Sequence, residues 1–188
     1  MEKYIEIELL PQLDDTLTDI SLVKYPAIES TFLMFSKQNQ KTFHFSTDEK
    51  MVLTGAVLIP QQRIYRRDGD NEYYVFFSED TIRTISEQFL SNFKNSSFTL
   101  EHSDLTNEVV IVESWLVEDP DNDKSSALGL DLPKGTWMMS VKVKDEELWN
   151  RIKSGEFQGF SVAGLFRQVT EDDKVISEAE EIIRRNEE

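Results

Sequence analysis

Ser161 lies in GFSVAG, residues 159–164, a serine between two glycines in an otherwise apolar stretch. A serine hydroxyl is a poor nucleophile until a neighbouring base takes its proton. The chain offers two imidazoles for that task, His44 in FHF and His102 in TLEHS. An acidic group must then orient the imidazole and stabilise its charged form. With 36 acidic residues, composition does not choose among them. His102 ends an apolar run and begins a polar loop, where functional side chains concentrate. His44 lies in a weakly patterned stretch. Glu101 precedes His102 on an expected strand and would point to the opposite face. Each residue also has a plain structural reading. Ser161 alone is a small strand residue that lets an opposing side chain pack close, and a lone histidine is a half-buried residue with one hydrogen bond.

Other chemistries are disfavoured. The chain has no cysteine, which excludes disulfides, thiolate zinc sites and a thiol nucleophile. It has no GxGxxG or GxxxxGK[ST] loop and no HExxH, so it points to no cofactor and no metal. The serine sequence is G-x-S-x-x-G, not the G-x-S-x-G elbow of the α/β-hydrolases, which weakens an esterase reading. The formal charge of −16 disfavours direct nucleic-acid binding and adsorption to anionic membranes. No run of 18 apolar residues is present, and MEKYIEIELLPQ lacks the basic and apolar regions of a signal peptide. The expectation is a cytosolic protein with no membrane partner.

The residues must be positioned by a fold that 188 residues and 39% apolar content can build around one core. YIEIEL at 4–9 reads as an edge strand, and ISLV as a strand ended by Pro26. Residues 30–48 read as a loop with a short strand around Phe43–Phe45. MVLTGAVLIP at 51–60 and YYVFF read as strands forming a hairpin across the RRDGDN turn. Ser78 caps an amphipathic helix carrying Ile82, Ile85, Phe89 and Phe93. Strands follow at 97–102, 108–118, 136–143 and 158–169, with Trp137, Met139, Val141 and Val143 on one face of the third. A polar loop spans 119–135, and DEELWNRIKSGE is a short helix. About seven strands with short spacings predict an α+β fold, a mainly antiparallel β-barrel flanked by a few helices. The expected organisation is one domain over 1–170 and an acidic C-terminal helix or tail over 171–188.

Several stretches, in one order from about residue 19 to 167, carry a resemblance: ISLVKYPAIES, KMVLTGAVLIPQQRIYRR, EYYVFFSEDTIR, TLEH, VESWLVEDPDNDKS, LPKGTWMMSVKV and GFSVAGLF. The chain resembles the XkdF-type phage serine proteases, grouped with the capsid-maturation (prohead) proteases of tailed phages and the herpesvirus assemblins. The resemblance implies a serine endopeptidase with Ser161 as nucleophile and His102 as general base. In the better-known prohead proteases an acidic residue after the serine precedes a V-S-L-V-x-x-P-A stretch. Here I-S-L-V-K-Y-P-A follows Asp19 near the N-terminus, so the chain looks circularly permuted, with Asp19 as the third catalytic residue in place of the usual glutamate. Glu171–Asp173 is the alternative source of that carboxylate. The implied substrates are capsid and scaffold proteins, and the chain itself, inside an assembling procapsid in the host bacterial cytoplasm. A homo-dimer or higher oligomer is implied. The competing function is a non-catalytic capsid-assembly or scaffold interaction protein of the same fold.

Overall fold

The computed structural model describes residues 5–11, 17–27, 33–35, 50–92, 98–102, 104–164 and 166–169. The order of elements is β1 (Ile5–Pro11), β2 (Leu17–Val23), β3 (Leu33–Phe35), β4 (Val52–Leu58), β5 (Ile64–Asp68), β6 (Asn71–Phe76), α1 (Glu79–Ser91), β7 (Phe98–Leu100), β8 (Asp104–Thr106), β9 (Val109–Leu116), α2 (Lys124–Ala127), β10 (Trp137–Val143), α3 (Glu146–Lys153), β11 (Gly159–Gly164) and β12 (Phe166–Gln168). They form three four-stranded sheets, ordered β12-β1-β6-β5, β3-β4-β10-β9 and β11-β2-β7-β8. Pairing is antiparallel except for β1 with β6 and β2 with β7.

The fold is α+β and mostly antiparallel, as expected, but no closed barrel occurs among the described residues. Each sheet has two ends. The strand expected over 158–169 breaks into two, so that β11 pairs with β2 while β12 pairs with β1. That switch links two sheets without closing either. β1 is not an edge strand, because β6 and β12 flank it. The expected hairpin partner also changes. β6 pairs with β5, whose Arg66–Asp68 were read as part of the turn, whereas β4 pairs with β3 and β10. β3 falls within the stretch read as loop, while Phe43–Phe45 and the expected helix over 171–188 lie outside the described residues.

β10 is the centre of the core. Trp137, Met138, Met139, Ser140 and Val141 are all at 0% exposure, so both faces of the strand are covered. A strand packed on both sides has no wet face. α1 covers one face with Ile82, Ile85 and Phe89. Phe89 meets Trp137 edge-on with ring centres 5.6 Å apart, and the Trp137 indole N–H donates to Ser114 Oγ at 2.9 Å. The caps follow the sequence. Ser78 Oγ accepts from the Thr81 N–H at the start of α1, and Asp145 accepts from the Leu148 N–H at 2.7 Å at the start of α3.

The 119–135 loop is pinned locally. Asp123 caps α2 through the Ser125 N–H and also accepts from the Trp115 indole at 3.0 Å. Lys124 reaches back to Glu113 on β9. The hydrogen bond from Lys124, then one from Ser140, hold the Glu113 carboxyl below its ordinary value of 4.5.

Two stability predictions follow from these contacts. Phe89→Ala removes a fully buried ring, and denaturant unfolding should show a loss of about 3–5 kcal/mol with an unchanged m-value. A lowered folded pKa means that the Glu113 contribution is present above 4.5 and lost as pH falls below it through the folded value. Both side chains are nearly half exposed, so Lys124→Met should cost no more than about 1 kcal/mol at pH 7. Unfolding curves measured down the pH scale should show that difference vanish in acid.

Candidate functional site

The site is built on the β11-β2-β7-β8 sheet. β2 runs antiparallel to β11 and parallel to β7, with Ser161 opposite Ser21 and Ser21 opposite Thr99. Three hydroxyl residues therefore stand in one row across three strands. Asp19, two residues before Ser21, shares its face, because strand side chains alternate. Ile20 and Leu22 point the other way and are fully buried in the core. The alternation of β2 thus sets Ile20 and Leu22 on the face opposite Asp19 and Ser21.

His102 enters from the turn between β7 and β8, where Leu100 pairs with Asp104. Glu101 and His102 both have left-handed backbones, with φ of 50° and 58°. Such conformations cost on the order of 1–3 kcal/mol each outside glycine and persist only where surrounding contacts hold them. Here the Glu101 N–H donates to Leu22 O at 3.0 Å, and its carboxylate accepts from the Lys24 N–H at 2.7 Å. Glu101, expected on a strand but placed in this turn, fastens the turn to the end of β2.

His102 Nε2 lies 3.0 Å from Ser161 Oγ. On the other side of the ring, Nδ1 lies 2.8 Å from Ser21 Oγ and 3.6 Å from Asp19 Oδ1. The longer distance exceeds a hydrogen bond, so Ser21 stands between the ring and the carboxylate. Ser21 Oγ donates to Asp19 Oδ1 at 3.1 Å, and Thr99 Oγ1 donates to the same oxygen at 2.8 Å. The two hydroxyls are 2.5 Å apart.

One arrangement of protons fits a general base. With the Thr99 proton on Asp19 and the Ser21 proton held between Asp19 and Thr99, Ser21 Oγ accepts from Nδ1–H. A neutral imidazole carries one N–H, which leaves Nε2 as an acceptor facing the Ser161 hydroxyl. Ser21 is fully buried, the Asp19 side chain is 22% exposed and that of His102 is 38% exposed. The supporting groups are shielded while the imidazole remains accessible.

Ser161, His102 and Asp19, singled out in the sequence, thus come together from β11, the β7–β8 turn and β2. His44 and Glu171–Asp173 lie outside the described residues. Ser21 and Thr99 were missed. The signal for Ser21 was a polar residue at i+2 from Asp19 on a strand whose alternate residues are apolar. Thr99 carried none, since only strand pairing brings it to Asp19. No group of three or more acidic or histidine side chains arranged to hold a metal occurs among the described residues. No described helix is long and apolar enough to cross a membrane.

Residues 39–171 match the family described as "Putative phage serine protease XkdF". The chain belongs to this family. The match includes His102 and Ser161, whereas Asp19 and Ser21 precede it. Two curated proteins of Bacillus subtilis (strain 168) are similar. The phage-like element PBSX protein XkdF is 26% identical over 139 residues, which cover 74% of this chain and 43% of that protein. The uncharacterized protein YqbD is 25% identical over 169 residues, covering 86% of this chain and 48% of its own length. The chain therefore spans less than half the length of these relatives. No solved structure matches it.

The position of Ser21 leads to a prediction that needs no substrate. Nitrogen-15 NMR of the His102 ring should show protonated Nδ1 and bare Nε2 in the parent chain. Ser21→Ala should abolish that preference while leaving the amide spectrum of the three sheets folded. Unchanged ring shifts in Ser21→Ala would show that Ser21 does not set the tautomer.

Proposed function

We propose that this chain is a serine endopeptidase of phage or prophage head assembly, acting on capsid and scaffold proteins and on itself, with Ser161 as nucleophile, His102 as general base and Asp19 as the supporting carboxylate. The observation that carries this reading is the 3.0 Å approach of His102 Nε2 to Ser161 Oγ, on a ring whose Nδ1 is committed to Ser21. A serine placed only for packing has no need of an imidazole at hydrogen-bonding distance. Membership of the XkdF family agrees with a peptidase and with a phage setting.

The chemistry proceeds as acyl transfer. Ser161 Oγ bonds to the peptide carbonyl carbon as its proton passes to His102 Nε2. The imidazolium formed keeps its Nδ1–H on Ser21, and Ser21 keeps its proton on Asp19, so the carboxylate stabilises the charge through one intervening hydroxyl. His102 then gives the proton to the leaving amine as the C–N bond breaks. Water repeats the sequence in reverse to release the acyl group and restore Ser161. Backbone N–H groups near Ser161 or in the SLVKYPA turn would hold the oxyanion. On this reading β2, from the N-terminal part of the chain, completes the site beside the serine strand, which is the arrangement a circular permutation requires.

The decisive test is cleavage in company. Co-expression with the head and scaffold proteins of the same phage or prophage should yield processed products. Ser161→Ala should reduce processing at least about 10³-fold. Unaltered processing would sink the assignment and leave a non-catalytic assembly protein. Asp19→Asn should lower kcat with little change in KM, by less than the roughly 10⁴-fold expected where a carboxylate holds the imidazole directly.

A further inference from the structure

A cavity of about 310 Å³ opens beside the nucleophile, lined by Ser161, Phe160 and Val162 of β11, by Val57 and Phe77, and by Arg66 of β5. Its volume is at the small end of the range for ligand sites, roughly 300–1,000 Å³. The lining mixes polar and apolar surface in about equal parts, and Arg66 is the only charged residue among those that line it.

The placement of Arg66 is unusual for its strand. β5 side chains alternate, and Ile64, two residues earlier, is buried at 4% exposure. Arg66 therefore projects toward the same interior side. Tyr65 and Arg67 project the other way, and there the Tyr65 hydroxyl donates to Glu72 and Arg67 donates to Gly69 O. Arg66 donates to the Tyr65 carbonyl at 2.9 Å, and no carboxylate among the described residues pairs with it. Burial pushes its guanidinium below its ordinary pKa, with Tyr73 acting in the opposite sense, although part of the side chain still reaches solvent. In a chain of net charge −16, a guanidinium that lines this cavity while still exposed to solvent, with no carboxylate partner among the described residues, stands apart from its surroundings.

A guanidinium without a carboxylate partner binds one well, because its planar fork matches both oxygens. The apolar side chains of Val57, Phe77, Phe160 and Val162 beside that fork favour a ligand whose acid sits at the end of a methylene stem. We propose that the cavity receives the substrate side chain on the acyl side of the cleaved bond, and that Arg66 makes it select glutamate. This rests on the peptidase reading and names its substrate class. Aspartate fits less well, since its shorter stem buries less against the walls. The overall negative charge opposes an acidic peptide only at long range and is screened beyond about 10 Å at 0.1 M salt. The contact with Arg66 is made inside that distance.

The test uses acetyl-Ala-Ala-Ala-X-aminocoumarin substrates with X as Glu, Gln, Leu or Lys. The parent chain should cleave the Glu substrate at least about tenfold better in kcat/KM than the isosteric Gln substrate. Arg66→Gln should erase that preference, and Arg66→Glu should turn it toward Lys. Equal rates for Glu and Gln, or a preference unchanged in Arg66→Gln, would overturn the proposal while leaving the peptidase intact. A second measurement separates recognition from catalysis. In nitrogen-15-labelled Ser161→Ala, acetyl-Ala-Ala-Ala-Glu-amide should shift the Arg66 Nε–H resonance, and the Gln-amide should not. That shift without cleavage of any substrate by the parent chain would support the pocket and refute the peptidase. Equal effects of the two amides would refute the pocket.

Discussion

The register of β11 and β7 against β2 is the constraint on which the site depends. It sets Ser161 against Ser21 and Ser21 against Thr99, so one row of hydroxyls crosses the sheet. A slip of one residue on any of the three strands would turn its side chain to the opposite face. Register is therefore fixed from the other face, where Ile20, Leu22, Phe98 and Phe160 are all buried in the core. Their removal from water is what keeps Asp19, Ser21 and Thr99 within hydrogen-bonding distance of one another. The site and the core are two sides of the same three strands.

Once the strands are in register, the groups admit an arrangement that suits a general base. The two hydroxyls cluster at one carboxylate oxygen, the Ser21 oxygen faces Nδ1, and Nε2 faces Ser161. The carboxylate acts on the ring through a hydroxyl rather than by direct contact. That arrangement needs the strained turn at Glu101 and His102, since an ordinary extended strand would not bring the ring back over β2. The strain is held by the Glu101 contacts to Leu22 and Lys24, both at the end of β2. The same strand therefore supplies the carboxylate, the intermediary hydroxyl and the anchor for the turn that carries the base.

Local signals in the sequence reached many of these parts. The cap at Ser78, the acidic start of α3 at Asp145 and the spacing of Ile82, Ile85 and Phe89 are short-range information. Ser161 and His102 gain their roles, and Asp19 is chosen among 36 acids, only through the family resemblance. Thr99 and the bridging place of Ser21 come from neither source, because they depend on pairing between residues about 80 positions apart. The same limit explains the sheets. β1 looks like an edge strand by its own residues, and only its parallel pairing with β6 and its contact with β12 place it inside. Residues 158–169 read as one strand, yet the two halves find different partners. Arg66 sat in a stretch that resembled a turn, so its inward direction could be seen only once β5 was paired with β6.

The central claim is that Ser161 is activated by His102 through this one network. It is tested most directly by reacting the folded chain with a peptidyl phosphonate and locating the adduct by peptide mapping. The account predicts a single stoichiometric adduct on Ser161 that is lost in His102→Ala. No adduct on the folded chain, an adduct on a different serine, or labelling of Ser161 that persists in His102→Ala would contradict it.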